Sequence, residues 1–75
     1  MRAAYRVMVD GSAVSFLPLC TCGWRDHPRT TRLAAWHACR RHEESCHPSG
    51  LQAAQALAQQ RARDARHALR LAERQ

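Results

Sequence analysis

Two short runs near the start of the chain, Ala4-Tyr5-Arg6-Val7-Met8-Val9 and Ala13-Val14-Ser15-Phe16-Leu17, carry β-branched and aromatic residues on either side of Asp10-Gly11. An Asp-Gly pair between two such runs predicts a hairpin closed by a type I′ turn. With Asp10 and Gly11 as the loop, Val9 pairs with Ser12, Val7 with Val14, and Tyr5 with Phe16. Tyr5, Val7, Val14 and Phe16 then share one apolar face. Pro18 has no amide to donate, so regular pairing is expected to lapse there and hand the chain to Cys20-Thr21-Cys22-Gly23-Trp24.

The period changes after a polar connection that contains Pro28. Thr30 or Thr31 can cap a helix running to about His42 or Cys46. Leu33, Trp36, His37 and Arg40 fall along one side of it, and Ala35, Cys39, His42 and Cys46 along another, at offsets of four and three. Trp24 and Trp36 are read as core residues that pack this helix on the hairpin. Pro48-Ser49-Gly50 breaks the pattern, and Ser49 with Gln52 has the spacing of a capping box. From Leu51 to about Arg74 there is no Gly or Pro, which predicts a second helix of about six turns. Its apolar stripe is drawn through Leu51, Ala54, Ala58, Ala65, Ala68, Leu69 and Ala72, with Arg63, Arg66, Arg70 and Arg74 on another side. The fold class expected is small α+β: a ββα domain over residues 1–47, then an arginine- and alanine-rich helix over 48–75.

Size then changes the picture. The chain has 75 residues with four Cys and five His, and a core this small usually needs disulfides, a structural metal or self-association to hold it. The N-terminal segment, with Arg2 and Arg6 and an early Asp10-Gly11, lacks the uninterrupted apolar stretch of a signal peptide. No run approaches the roughly 18 apolar residues that span a bilayer. The expectation is a cytoplasmic protein without a membrane partner, whose reduced thiols serve as ligands. The formal net charge is +6, and all twelve basic residues are arginine. An all-arginine, alanine-rich composition fits a GC-rich genome, so codon bias accounts for part of it, while the net charge still favours acidic partners.

A tetrahedral Zn²⁺ site takes thiolates and neutral imidazoles, usually with one ligand pair on a turn and another on a helix. Cys20 and Cys22 offer the first pair, at a spacing one residue tighter than the common knuckle, and Gly23 can take the positive φ of the turn that follows. His42 and Cys46 offer the second, because residues four apart share a helix face. His47 is the rival for the fourth position, since fraying near Pro48 can bring either residue round. Cys39, one turn before His42, and His37 are further candidates, both more simply read as packing residues.

The run Cys20-Thr21-Cys22-Gly23-Trp24-Arg25, then an alanine-rich helix with Ala35 and Ala38 leading to His42 and a further Cys or His, resembles the small zinc-finger-like proteins of actinobacteria and their phages. The likeness covers about residues 5 to 47 and implies a Cys-Gly-Trp knuckle, a helix and a distal histidine pair around Zn²⁺. The layout is also similar to a ββα finger. Nineteen residues separate Cys22 from His42, against about a dozen in that finger, so its base-reading positions do not transfer.

Four protein ligands close a zinc site and leave no position for activated water, so an enzyme is not expected. His42-Glu43-Glu44-Ser45-Cys46 only superficially resembles a His-Glu-x-x-His protease motif. Two functions remain. One is nucleic-acid binding, with Arg40, Arg41, Arg63, Arg66, Arg70 and Arg74 on phosphates. The other is a protein-interaction or homo-oligomerisation module that uses the alanine-rich stripe of the C-terminal helix, such as a phage modulator of host machinery.

Overall fold

The computed structural model describes residues 4–74, so Arg2 and the last residue of the expected 48–75 segment lie outside it. The order is β1 (Val7–Gly11), β2 (Phe16–Cys20), α1 (Arg32–Cys46) and α2 (Gln52–Glu73). This is the small α+β layout expected, a two-stranded antiparallel hairpin with one helix packed on it and a long second helix.

The hairpin is where the pattern placed it, but its register is not. Val7 pairs with Cys20, Val9 with Pro18, and Gly11 with Phe16, where Val7–Val14 and Tyr5–Phe16 were expected. Asp10 and Gly11 belong to β1, and the loop is Ser12 to Ser15. Ser12 explains the shift: its amide donates to the Ser15 carbonyl at 2.8 Å and its Oγ accepts the Ser15 amide at 3.1 Å. A serine that bonds its own turn competes well with a two-residue Asp-Gly loop. The displacement is even, so Val7 and Phe16 keep a common face, while Val14 moves to the loop and is 80% exposed.

Pro18 does not interrupt the strand. Phe16 exchanges both backbone bonds with Arg29, the Pro18 carbonyl accepts from Asp26, and the Cys20 amide donates to the Trp24 carbonyl. The even positions of β2 therefore direct their amides away from β1, and the missing donor of Pro18 falls on that outer edge. The segment from Trp24 to Arg29 runs along the same edge, bridging Arg25 to Leu19 and Arg29 to Phe16.

Thr31 caps α1, its Oγ1 accepting the Ala34 amide at 3.1 Å. Ala35, Ala38, Cys39, His42 and Glu43 form the buried side of this helix, set against Val7, Cys20 and Ala53, with Tyr5, Val9, Trp24 and Trp36 closing the margins. Small residues on the α1 face let it lie close to the hairpin.

The start of α2 departs from the expected capping box. Leu51 is the N-cap and makes no side-chain cap bond. The buried Glu43 carboxylate caps α2 instead, accepting the amides of Gln52 at 3.1 Å and Ala53 at 2.8 Å. Gln52 is thereby free to act as a short strand mimic on the edge of β1: its Oε1 accepts the Val7 amide and its Nε2 donates to the Tyr5 carbonyl, both at 3.0 Å. The buried residues of α2 are Ala53, Leu57 and Gln60, not the stripe drawn from periodicity. Leu51 and Leu69 of that stripe are 64% and 60% exposed. Only the first turns of α2 meet the core, and every described residue from Arg61 on is exposed. The molecule is accordingly elongated, 46 × 26 × 17 Å.

Candidate metal centre

The register of the hairpin decides where the first ligand pair sits. Because Val7 lies opposite Cys20, the knuckle begins at the last paired position of β2, with the Thr21 amide still bonded to the Arg6 carbonyl at 3.0 Å. The Gly23 amide closes the turn onto the Cys20 carbonyl at 3.1 Å, with Gly23 at φ 104°. Only glycine enters this region without steric cost, and it is what allows the sulfurs of Cys20 and Cys22 to face the same side. Cys20 is buried and Cys22 is exposed.

The second pair comes from the end of α1. His42 projects from the buried side of its last turns, and His47 occupies the C-cap, its amide bonded to the Glu43 carbonyl at 2.8 Å. At φ −137° and ψ 61° His47 has left the helix, and its ring turns back toward the knuckle. The ligand atoms of Cys20, Cys22, His42 and His47 all lie within 4.8 Å of one another. Cys20 Sγ is 3.7 Å from His47 Nε2, and Cys22 Sγ is 3.4 Å from His42 Nε2. A tetrahedron with metal–sulfur bonds of about 2.3 Å and metal–nitrogen bonds of about 2.0–2.1 Å has sulfur–nitrogen edges of about 3.6 Å. The four residues are thus positioned to hold a metal ion.

Of the residues singled out from sequence, Cys20, Cys22 and His42 come together, and the fourth place goes to His47. Cys46 is exposed and outside the cluster. It shares the helical angle of Cys39 and His42, but α1 ends there, and an imidazole reaches farther back from the cap than a thiol can. Cys39 is fully buried beneath the hairpin, its thiol donating to the Met8 carbonyl at 3.5 Å. Burial pushes that thiol up to about 11, and Cys39 lies outside the ligand cluster. His37 is half-buried on the other side of α1 and takes no part in the cluster.

Two aromatic rings orient the imidazoles. Trp24 stacks on His42 with centroids 4.2 Å apart, and Tyr5 stacks on His47 at 3.7 Å, both nearly parallel. The Tyr5 hydroxyl donates to the Glu43 carboxylate. Tyr5 and Glu43 were missed as site residues from sequence: Tyr5 read as part of a sheet face, and Glu43 gave no signal beyond its place beside His42. Trp24 was read as a core residue and as the end of the Cys-Gly-Trp knuckle, not as the ring that backs His42.

The titration tendencies suit a cation. Burial pulls His42 below the ordinary imidazole value, leaving the neutral ring that ligates. Burial pushes the Cys20 thiol up, opposed by the Cys22 amide directed at its sulfur. A metal ion bound here would offset that penalty by neutralising the thiolate, so ligation and deprotonation of Cys20 would be one event.

Compared with protein-family models, curated proteins and solved structures, the chain finds no match in any of the three.

Proposed function

We propose that the protein is a small zinc-binding module in which the metal is structural and the basic surface binds nucleic acid. The observation that carries the first half is the convergence of two thiol sulfurs and two imidazole nitrogens, all within 4.8 Å. Mixed Cys and His ligands in a small domain favour zinc over harder cations. With four protein ligands the centre is closed, so it couples metal binding to folding and activates no water; the protein is not an enzyme. Four unpaired cysteines agree with a reducing, cytoplasmic setting. Nucleic acid rests on the net charge of +6 and on the exposure of Arg40, Arg41, Arg63, Arg66, Arg70 and Arg74.

Native mass spectrometry and metal analysis test the metal reading, on wild type, Cys22→Ser and His42→Ala, with circular dichroism followed through chelator addition. One zinc per chain, lost together with the fold in both variants, is the expected result. A metal-free chain that stays folded in chelator would remove zinc from the account.

A second reading, pairing of α2 with another helix, is favoured by the exposure of Leu51, Leu69 and Leu71 along it. Mass that rises with protein concentration, without affinity for nucleic acid, would select that reading.

A further inference from the structure

Nucleic-acid binding through a finger ordinarily places the first helix in a groove, and α1 is poorly furnished for that task. Two of its three arginines are engaged within the fold. Arg32 lies over the Phe16 ring at 5.0 Å, and Arg40 is paired with Glu44 at 2.9 Å. In the preceding loop Arg29 is paired with Asp26 at 3.1 Å. Trp24, the aromatic group nearest the knuckle, is committed to His42. The arginines of the finger with neither an ion pair nor a ring contact among the described residues are Arg6, Arg25 and Arg41, one each on the approach to β1, on the loop and on α1.

The arm of α2 differs in every respect. From Arg61 to Arg74 all residues are exposed, and none of its arginines takes part in an ion pair among the described residues. At 100° per residue, Arg63, Arg66, Arg70 and Arg74 fall within a strip roughly 80° wide that rises about 17 Å. Of the two acids on the arm, Asp64 lies about 80° off that strip and is held by the Gln60 side-chain amide at 3.0 Å, while Glu73 borders the strip about 20° beyond its edge and forms no ion pair among the described residues. Four of the arm's other residues are alanine, Ala62, Ala65, Ala68 and Ala72, which slims the helix for a major groove about 12 Å wide. It carries no Phe, Trp or Tyr, and His67 is its one ring, so phosphate contacts outweigh base stacking. Its large apolar residues are Leu69 and Leu71 alone, too little to seat an amphipathic helix in a bilayer surface.

We infer that the arm of α2, through Arg63, Arg66, Arg70 and Arg74, is the surface that meets the phosphate backbone of a nucleic-acid duplex, with the metal-bound finger as its mount and α1 outside the groove. This rests on the nucleic-acid reading above and names its surface and mode: binding is independent of sequence and set by salt.

The test is fluorescence anisotropy of the full, zinc-loaded chain with a labelled mixed-sequence DNA duplex over a range of salt. Four phosphate contacts give a slope of log K against log salt of about −3.6, which is roughly a hundred-fold loss between about 50 and 200 mM. The R63Q/R66Q/R70Q/R74Q variant keeps its helix by circular dichroism, since glutamine is a good helix former, and its slope falls toward zero. The R6Q/R25Q/R41Q variant retains most of the wild-type slope. If instead the arm variant binds like wild type and the finger variant does not, the inference fails while the nucleic-acid reading stands. If wild type binds no duplex, both fall. Binding to phosphatidylserine vesicles without binding to duplex would also overturn it, because the arm's partner would then be a lipid surface.

Discussion

The carboxylate of Glu43, near the end of α1, accepts the amide of Ala53 at 2.8 Å and so caps a helix that begins beyond the intervening turn. The same carboxylate takes the Gln52 amide and the Tyr5 hydroxyl, and Tyr5 lies against His47. One acidic side chain, 2% exposed, thus joins α1, α2 and the residue that backs a ligand. An anion is favourable at a helix N-terminus, where unpaired amides and the helix dipole coincide. Replacing Glu43 by Ala orphans buried donors at about 1–3 kcal/mol each. The expected outcome is a lower denaturation midpoint with zinc still bound, and faster hydrogen exchange at the Gln52 and Ala53 amides. Unchanged protection there would show that the cap contributes nothing.

His47 and Cys46 are neighbours with opposite fates. Cys46→Ser should keep one metal ion per chain and a near-wild-type melting curve, because its thiol is exposed and outside the cluster. His47→Ala removes a ligand and should lose the metal or bind it far more weakly. A competition titration with a colorimetric chelator reads both, and the reverse ranking would return the fourth position to Cys46.

Tyr5 is the sole tyrosine, so ultraviolet titration reports it without overlap. Its bond to Glu43 is the largest cause that raises its phenol from 10.0 to about 12. Because the folded value lies above the unfolded one, the stabilisation is complete below about pH 10 and is lost as pH rises through about 12. In Glu43→Gln the ionisation should move back toward the ordinary value. A Tyr5 that titrates normally in the wild type would mean that the hydroxyl does not hold this bond in solution.

Leu57 and Leu69 test which face of α2 meets the core. Leu57 is 1% exposed and Leu69 is 60% exposed. Truncating Leu57 to Ala should cost about 2–5 kcal/mol, while Leu69→Ala should fall within about 0.5 kcal/mol of wild type, as surface changes do. Urea denaturation of the zinc-loaded variants provides the comparison. A large cost at Leu69 would mean that the exposed stripe is covered in solution, as the helix-pairing reading requires.

Local chemistry made much of this molecule legible in the sequence. Thr31 capped α1 as its side chain predicts, Pro48 and Gly50 separated the helices, and the Cys20, Cys22 and His42 trio followed from ligand type and spacing. Which side of the hairpin faces inward was legible too, because alternation survives an even shift of register. The register itself was not, since Asp10-Gly11 and the Ser12 turn are both good local solutions. What favours the second is non-local: it places Val7 opposite Cys20 and sets the knuckle under the end of α1.

The fourth ligand and the cap of α2 were beyond any reading of spacing. Spacing favoured Cys46, four residues after His42, over its rival His47, and the arrest of α1 at its cap, with the His47 ring stacked on Tyr5, reverses that choice. Ser49 and Gln52 form a capping box in sequence, yet Glu43 takes the Gln52 amide that the box would use, and that of Ala53, because the turn of the chain brings α1 back over α2. Sequence alone determined the elements, the ligand chemistry and the charge of this protein, since those depend on residues and their near neighbours. Tertiary structure decided register, the fourth ligand and the buried face of α2, because each is a competition between locally comparable choices that only contacts between distant segments resolve.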